Sequence, residues 1–287
     1  MIKQHFSIDI KAPVQRVRYT MLDDAGYRKR TAPFNPAGSW FEWNRAKGSE
    51  MRFLWPHPEH PEQIGWMLAE IAENNLFSYI SIKHKAEIQD GQIREWGERT
   101  DAHENYTFSE KDGITTLVVD VDTTEAFADY MAQAWAKALA MLKDMCEVPF
   151  HPLTITASIY APLETVREKR TNPATMPQWC SGDDSWHTPR AENDLRAWGR
   201  FLTRMEAKDG SAWFDWTGTY TKVEPMSLIE YLMDDGRKAS IFFVNDTTCG
   251  TTVITETFDA ETMHTHEQQI AGWGHILNNF KVFAEQK

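Results

Sequence analysis

The chain has little of several things, and each shortage excludes something. Its 287 residues include three cysteines, Cys146, Cys180 and Cys249, far apart and without a CxxC pair. An odd, scattered set of thiols does not make a disulfide framework; it fits a reducing compartment, so a cytoplasmic location is expected. No apolar run is long enough to cross a bilayer, and MIKQHFSIDI at the start lacks the apolar segment of a secretory signal. Basic residues are outnumbered, 30 Lys and Arg against 42 Asp and Glu, for a formal net charge of −12. Such a surface repels polyanions and no basic run offers an exception, so neither nucleic acid nor a membrane is an expected partner. There is no GxSxG elbow, no GxxxxGK[ST] loop, and no GxGxxG between a strand and a helix. Hydrolase, kinase and dinucleotide-enzyme readings therefore have no motif behind them. No catalytic residue, metal or cofactor is assigned.

Aromatic residues are plentiful: twelve Trp, fifteen Phe and eight Tyr. Such side chains suit a solid core and a ligand cavity equally, because they combine large apolar area with a polar handle.

Two stretches repeat one another. FSIDIKAPVQRVRYTML near the start and LTITASIYAPLETVREKRT near the middle each alternate as a strand, stop at Ala-Pro, and continue with helical spacing. Proline is tolerated in the first helical turn, where its missing N–H has no partner to lose. Ala12-Pro13 and Ala161-Pro162 stand 149 residues apart (161 − 12). The ends match as well. Phe127, Met131, Trp135, Ala138, Leu142 and Met145 recur at three- and four-residue steps, as do Met263, Ile270, Trp273, Leu277, Phe280 and Ala284. Each set predicts a long amphipathic helix. Trp135 and Trp273 take equivalent places 138 residues apart (273 − 135), so the first copy carries about 11 residues of extra loop (149 − 138). Residues 147–152 break both periodicities. Two domains are expected, 1–147 and 152–287.

Between these ends the pattern is that of hairpinned strands. In SAWFDWTGTYTKVE, Phe214, Trp216, Gly218 and Tyr220 share one face, while Asp215, Thr217, Thr219 and Thr221 share the other. SLIEYLMD, RKASIFFVN and GTTVITETFD follow, separated at Asp235-Gly236 and Cys249-Gly250. The first copy offers EMRFLW, IGWMLAEIAE, FSYISIKHKAEI and TTLVVDVDT. Strand, helix, hairpins and a long last helix give an α+β domain with its sheet wrapped around that helix.

This order, with these residues, resembles the START-like helix-grip superfamily (SRPBCC), and within it the branch named for activators of the heat-shock-protein-90 ATPase. In the second copy the resemblance rests on Ala161-Pro162, QWCSGDDSWH (178–187), AENDLR (191–196), FDWTGTYTKVEP, DDGRK, GTTVITETFDAE and Gly272-Trp273. In the first it rests on Ala12-Pro13, KGSEMRFLWP, HENYTFSEKDGITTLVVDVDT and the helix with Trp135. That copy lacks a DDGRK counterpart and carries an extra HPEHPEQ loop, so it is the divergent one. The resemblance implies tandem helix-grip domains, each a curved antiparallel sheet of about seven strands around a long C-terminal helix, with a cavity between sheet and helix. Members of the superfamily are ligand binders, cyclase-like enzymes or chaperone-activating domains, so the fold does not choose among these.

In the second copy the residues expected to line that cavity are Trp179, Trp186, His187, Phe201, Met205, Phe214, Trp216, Tyr231, Trp273 and Leu277. The competing reading is that they fill the space themselves. His187, Asp184, Arg196, Arg237 and His275 are the polar groups that would orient a ligand, whereas Arg196 and Asp235 also suit strand ends, paired with backbone or each other. Where relatives carry paired glycines after Asp-Leu-Arg, this chain has Trp198 before Gly199. Tryptophan lacks glycine's backbone latitude, so Trp198 is expected to cap the pocket or to cover a neighbouring surface such as the first domain. Two clusters, His57, Glu59 and His60, and His264, His266 and Glu267, contain metal-binding residue types, but neither has a zinc-site spacing, and loop or surface roles are expected. The expected function is binding of a small apolar or aromatic molecule. The alternatives are an interaction module for a heat-shock-protein-90-type chaperone, which an acidic surface would serve, and a cyclase- or hydrolase-like enzyme.

Overall fold

The computed structural model of the protein describes residues 1–43, 46–57, 60, 62–89, 92–95, 102–246 and 250–286. The chain divides into two compact units, Met1–Val148 and Pro149–Lys287. No helix among the described residues is long and apolar enough to cross a membrane.

In the first unit the N-terminal alternation forms β1 (Ile2–Ile10), whose side chains alternate outward and inward until Ile10 is fully buried. Pro13, at φ −64° and ψ 150°, is the N-cap of α1 (Val14–Leu22). The proline therefore stands one residue before the first turn, not within it, and keeps the chain extended up to the helix. Asp23 caps α2 (Asp24–Arg30) by accepting from the backbone N–H groups of Ala25 and Gly26. Then come β2 (Trp40–Trp43), β3 (Glu50–Pro56), β4 (Ile64–Asn75), β5 (Tyr79–Gln89), β6 (Gln92–Glu95), β7 (His103–Lys111) and β8 (Ile114–Thr123). They pair antiparallel in the order β1-β8-β7-β5-β4-β3-β2, with β6 attached to β5. This sheet thus has one short strand more than the expected seven.

The last helix, α3 (Ala128–Cys146), buries Trp135, Ala138 and Leu142 of the predicted stripe. Phe127, which begins that stripe in the sequence, falls before the helix and is mostly exposed. Trp135 sits among the rings of Phe6, Phe34 and Tyr106, with the buried Arg30 guanidinium 5.9 Å from its centroid.

The second unit repeats the plan. β9 (Pro152–Ile159) is followed by Pro162, which again is an N-cap, at φ −60° and ψ 146°, here of α4 (Leu163–Thr171). A 3₁₀ turn, Met176–Gln178, leads to β10 (Trp186–Asn193), β11 (Arg200–Ala207), β12 (Trp213–Glu224), β13 (Leu228–Met233), β14 (Lys238–Asp246) and β15 (Thr251–Asp259). The order is β10-β11-β12-β13-β14-β15-β9, all antiparallel. Turn chemistry matches the sequence at Gly236, which has φ 83° and donates its N–H to the Met233 carbonyl. Gly250 also has positive φ, while Cys249 lies outside the described residues. α5 (His266–Ala284) opens with a capping box: the Thr265 side chain accepts from the Gln268 N–H, and Gln268 accepts from the Thr265 N–H. Met263 precedes this box and is 82% exposed, so the buried part of the predicted stripe begins later, with Leu277, Phe280 and Ala284.

Two positions on this frame have special backbone demands. Gly218 lies where a Cβ would come 2.6 Å from the Leu232 carbonyl oxygen and 2.7 Å from the Phe201 ring, so no side chain fits. Trp198 has φ 67° and is 76% exposed, its N–H donated to the Tyr220 carbonyl at 2.7 Å. The expectation that tryptophan would refuse glycine's backbone is corrected: Trp198 adopts it. The left-handed region costs an L-residue about 1–2 kcal/mol, whereas the extra chain entropy of glycine offsets roughly 0.4–1 kcal/mol. Trp198→Gly is therefore expected to stabilise the domain by about 0.5–1 kcal/mol, seen as a higher urea midpoint at unchanged slope. A lower midpoint would mean that the ring makes contacts that outweigh the strain.

Candidate ligand-binding site

The site begins with the charge pattern of α4. In LETVREKRT, Val166, Arg167 and Arg170 fall on one face and are buried. Arg170 points its guanidinium across the interior to β15, where Glu256 is 2% exposed. Nε and Nη2 of Arg170 both donate to Glu256 Oε1, at 3.2 and 2.7 Å. The same guanidinium lies 4.7 Å from the Trp179 ring centroid and 5.5 Å from that of Phe280. Burial alone would lower the Arg170 pKa, but the charge and hydrogen bonds of Glu256 outweigh it and hold Arg170 protonated.

Trp179 follows the 3₁₀ turn and is 2% exposed, with Phe280 of α5 edge-on at 4.9 Å. It faces a small cavity of about 40 Å³. One wall is α4 and the turn, through Arg170, Thr171, Met176, Trp179 and Cys180; the other is the sheet, through Phe201, Thr203, Trp216, Tyr220, Ile229, Tyr231 and Ile241. Phe201 is the hub of the aromatic wall, with Trp216, Tyr220 and Tyr231 centroids at 5.6, 5.4 and 5.2 Å. Desolvation pushes the Cys180 thiol up to about 11 and the Tyr220 phenol up to about 12, and holds the Tyr231 phenol well above its ordinary value. All three are thus protonated at neutral pH. They can hold a ligand by hydrogen bonds and do not supply a nucleophile or a base.

Of the ten residues expected at the site, Trp179, Phe201, Trp216 and Tyr231 line this cavity. The other six do not line it. Trp273 stacks on Phe258 at 4.0 Å and 6° and meets Trp216 edge-on at 5.4 Å, so the sheet and the upper part of α5 fill their common space with rings. Leu277 is core. The cavity described above lies against α4. Met205 is buried beside the Thr188 hydroxyl, 3.1 Å from its sulfur. Trp186 packs on Phe214, which is 48% exposed. His187 has a half-exposed side chain 3.8 Å from Glu206.

The polar candidates are also dispersed. Arg196 pairs with Asp194 on the surface, and Asp235 pairs with Arg237 at 2.7 Å, so Arg196 and Asp235 do not pair with each other. The Asp184 carbonyl accepts from Lys208. His275 has a buried Nε2 with no hydrogen-bond partner but does not line the cavity. Nor does Trp198. Among the described residues no group of three or more His, Cys, Asp or Glu is arranged to hold a metal. His57 and His60 lie ring to ring at 5.5 Å, with Glu59 outside the described residues. His264 is paired with Glu261 at 2.8 Å, and His266 faces the His151 ring at 5.7 Å. Glu267 lies in the exposed first turn of α5.

The family model described as "Activator of Hsp90 ATPase homolog 1-like protein" matches residues 160–285. The solution NMR structure of the AHSA1-like protein from Aeromonas hydrophila shares 43% identity over 47% of this chain and 92% of its own, with a TM-score of 0.44. The chain belongs to the AHSA1-like family. Its second domain carries that membership. The solution structure of Chr148 from Cytophaga hutchinsonii is similar at 44% identity, over 46% of this chain and 90% of its own, TM-score 0.42. The di-domain ARO/CYC protein StfQ from the steffimycin biosynthetic pathway spans 98% of both chains at 13% identity and a TM-score of 0.38. None of the curated proteins matches the chain.

The AHSA1-like domain has two residues at its centre that sequence reasoning did not single out, Arg170 and Glu256. Their signals were present. Glu256 interrupts the inward row Ile254, Glu256, Phe258 of an alternating strand, and Arg170 follows Val166 by four residues on the apolar face of a helix. A charge in each apolar row implies a buried partner.

Proposed function

We propose that the AHSA1-like domain of residues 152–287 binds a small uncharged organic molecule between its sheet and α4. The observation that carries this reading is the cavity itself, walled by rings on one side and by Arg170 and Trp179 on the other. Small-molecule sites combine such apolar walls with a few fixed polar groups. At about 40 Å³ the space takes roughly three waters. It is well below the roughly 300–1,000 Å³ of sites for drug-sized ligands, so the occupant is small or enters only partly.

Binding of uncharged metabolites should raise the melting temperature of the wild-type chain in a thermal-shift screen. Thr203→Leu fills the cavity from β11 and is expected to abolish those shifts while the chain stays folded. Equal shifts in wild type and Thr203→Leu would refute the cavity as the site. The family description supports a second reading, stimulation of a heat-shock-protein-90 ATPase. A steady-state ATPase assay with the cognate chaperone and the full chain decides it: an unchanged rate removes that reading.

A further inference from the structure

The cavity's polar groups imply more about its occupant than size. Nε1 of Trp179 is buried and has no hydrogen-bond partner. Tyr231 and Thr203, residues 4% and 3% exposed, bring hydroxyls to the facing sheet wall. All three residues line the same space. Buried polar groups are nearly always satisfied, by protein, water or ligand. Indole N–H is a donor only, and the two hydroxyls donate or accept, so their common complement is an acceptor. The Tyr220 hydroxyl is already committed to Asn193 at 2.8 Å.

Charge narrows the class further. The guanidinium in the wall is neutralised by Glu256 at 2.7 Å, so an anionic or cationic guest would leave one net charge buried without compensation. Resting on the reading of this cavity as a ligand site, we propose that its ligand class is uncharged molecules that present a carbonyl or ether oxygen to Trp179 Nε1–H and the Tyr231 hydroxyl. Three waters occupy about 90 Å³ of liquid, and at the packing density of a protein interior that space holds roughly four non-hydrogen atoms of an organic molecule. An oxygen placed there takes over the hydrogen bonds of the waters it displaces, whereas a hydrocarbon of equal shape leaves the donors unmet.

The test is a titration of the ¹⁵N-labelled full chain with acetone and, separately, with 2-methylpropene, which replaces the oxygen by CH₂. Trp179→Phe assigns the indole resonance; if that variant does not fold, the cavity amides of Thr203, Ile229 and Ile241 in the wild-type chain still report occupancy. The expected result is binding of the ketone about tenfold tighter than the alkene, with a downfield move of the Trp179 indole N–H, and loss of most of that preference in Tyr231→Phe. Equal affinity of the two compounds at those amides would overturn the acceptor class while leaving the cavity as a ligand site. No saturable change with either compound would overturn both.

Discussion

Glu256→Gln is expected to destabilise the second domain by about 3–5 kcal/mol, the cost of leaving a buried charge without its partner. Arg170 cannot escape by losing its proton, because guanidinium remains charged at any pH a folded protein tolerates. It cannot reach water either, since it is 7% exposed between α4 and β15 with the rings of Trp179 and Phe280 about it. The double replacement Arg170→Met with Glu256→Leu removes both charges and keeps similar volume. It is expected to lie within about 1–2 kcal/mol of wild type, because an ion pair taken out of water gains little over well-packed apolar groups. Urea unfolding of the full chain, with hydrogen exchange of the β15 amides to assign the transition, measures both. Losses that simply add in the double variant would show that the two groups act independently, against the pairing described above.

Phe280→Ala is the second large effect. Phe280 is fully buried on α5, edge-on to Trp179 and beneath the Arg170 guanidinium. Truncating such a ring costs about 3–5 kcal/mol, through lost transfer energy and the void that remains. The same urea experiment reads it. Ile270, on the same helix but 41% exposed, serves as a control: Ile270→Ala should cost well under half as much. Similar losses at the two positions would mean that α5 does not grip the sheet through this face.

The fold was legible because its signals are local and repeated. Ala-Pro after an alternating strand marks the turn into a helix in each copy, and the spacing around Trp135 and Trp273 marks both long helices. What periodicity could not fix was phase at the ends. Phe127 and Met263 continue the apolar steps but fall outside α3 and α5, where the chain has already left the helix for its capping turn. The site was half legible. Alternation put Phe214, Trp216 and Tyr220 on one face of a strand, and of these Trp216 and Tyr220 meet Phe201 and Tyr231 at the cavity. Alternation does not say how deeply a ring from the opposing helix penetrates. Trp273 stacks flat on Phe258 beneath α5, and the opening described above lies beside α4. Trp198 shows a different limit. A residue's preference is an energy, and a strand-end hydrogen bond to Tyr220 outweighs it.

The location of that opening is the central claim, and methyl resonances test it most directly. With Ile δ1 and Leu methyl groups labelled in the full chain, acetone is expected to shift Ile229 and Ile241, on the sheet wall of the cavity, in a saturable way. Leu277, on the C-terminal helix, should stay in place. Saturable shifts at Leu277 without shifts at Ile229 and Ile241 would contradict the account and return the site to the space beneath α5.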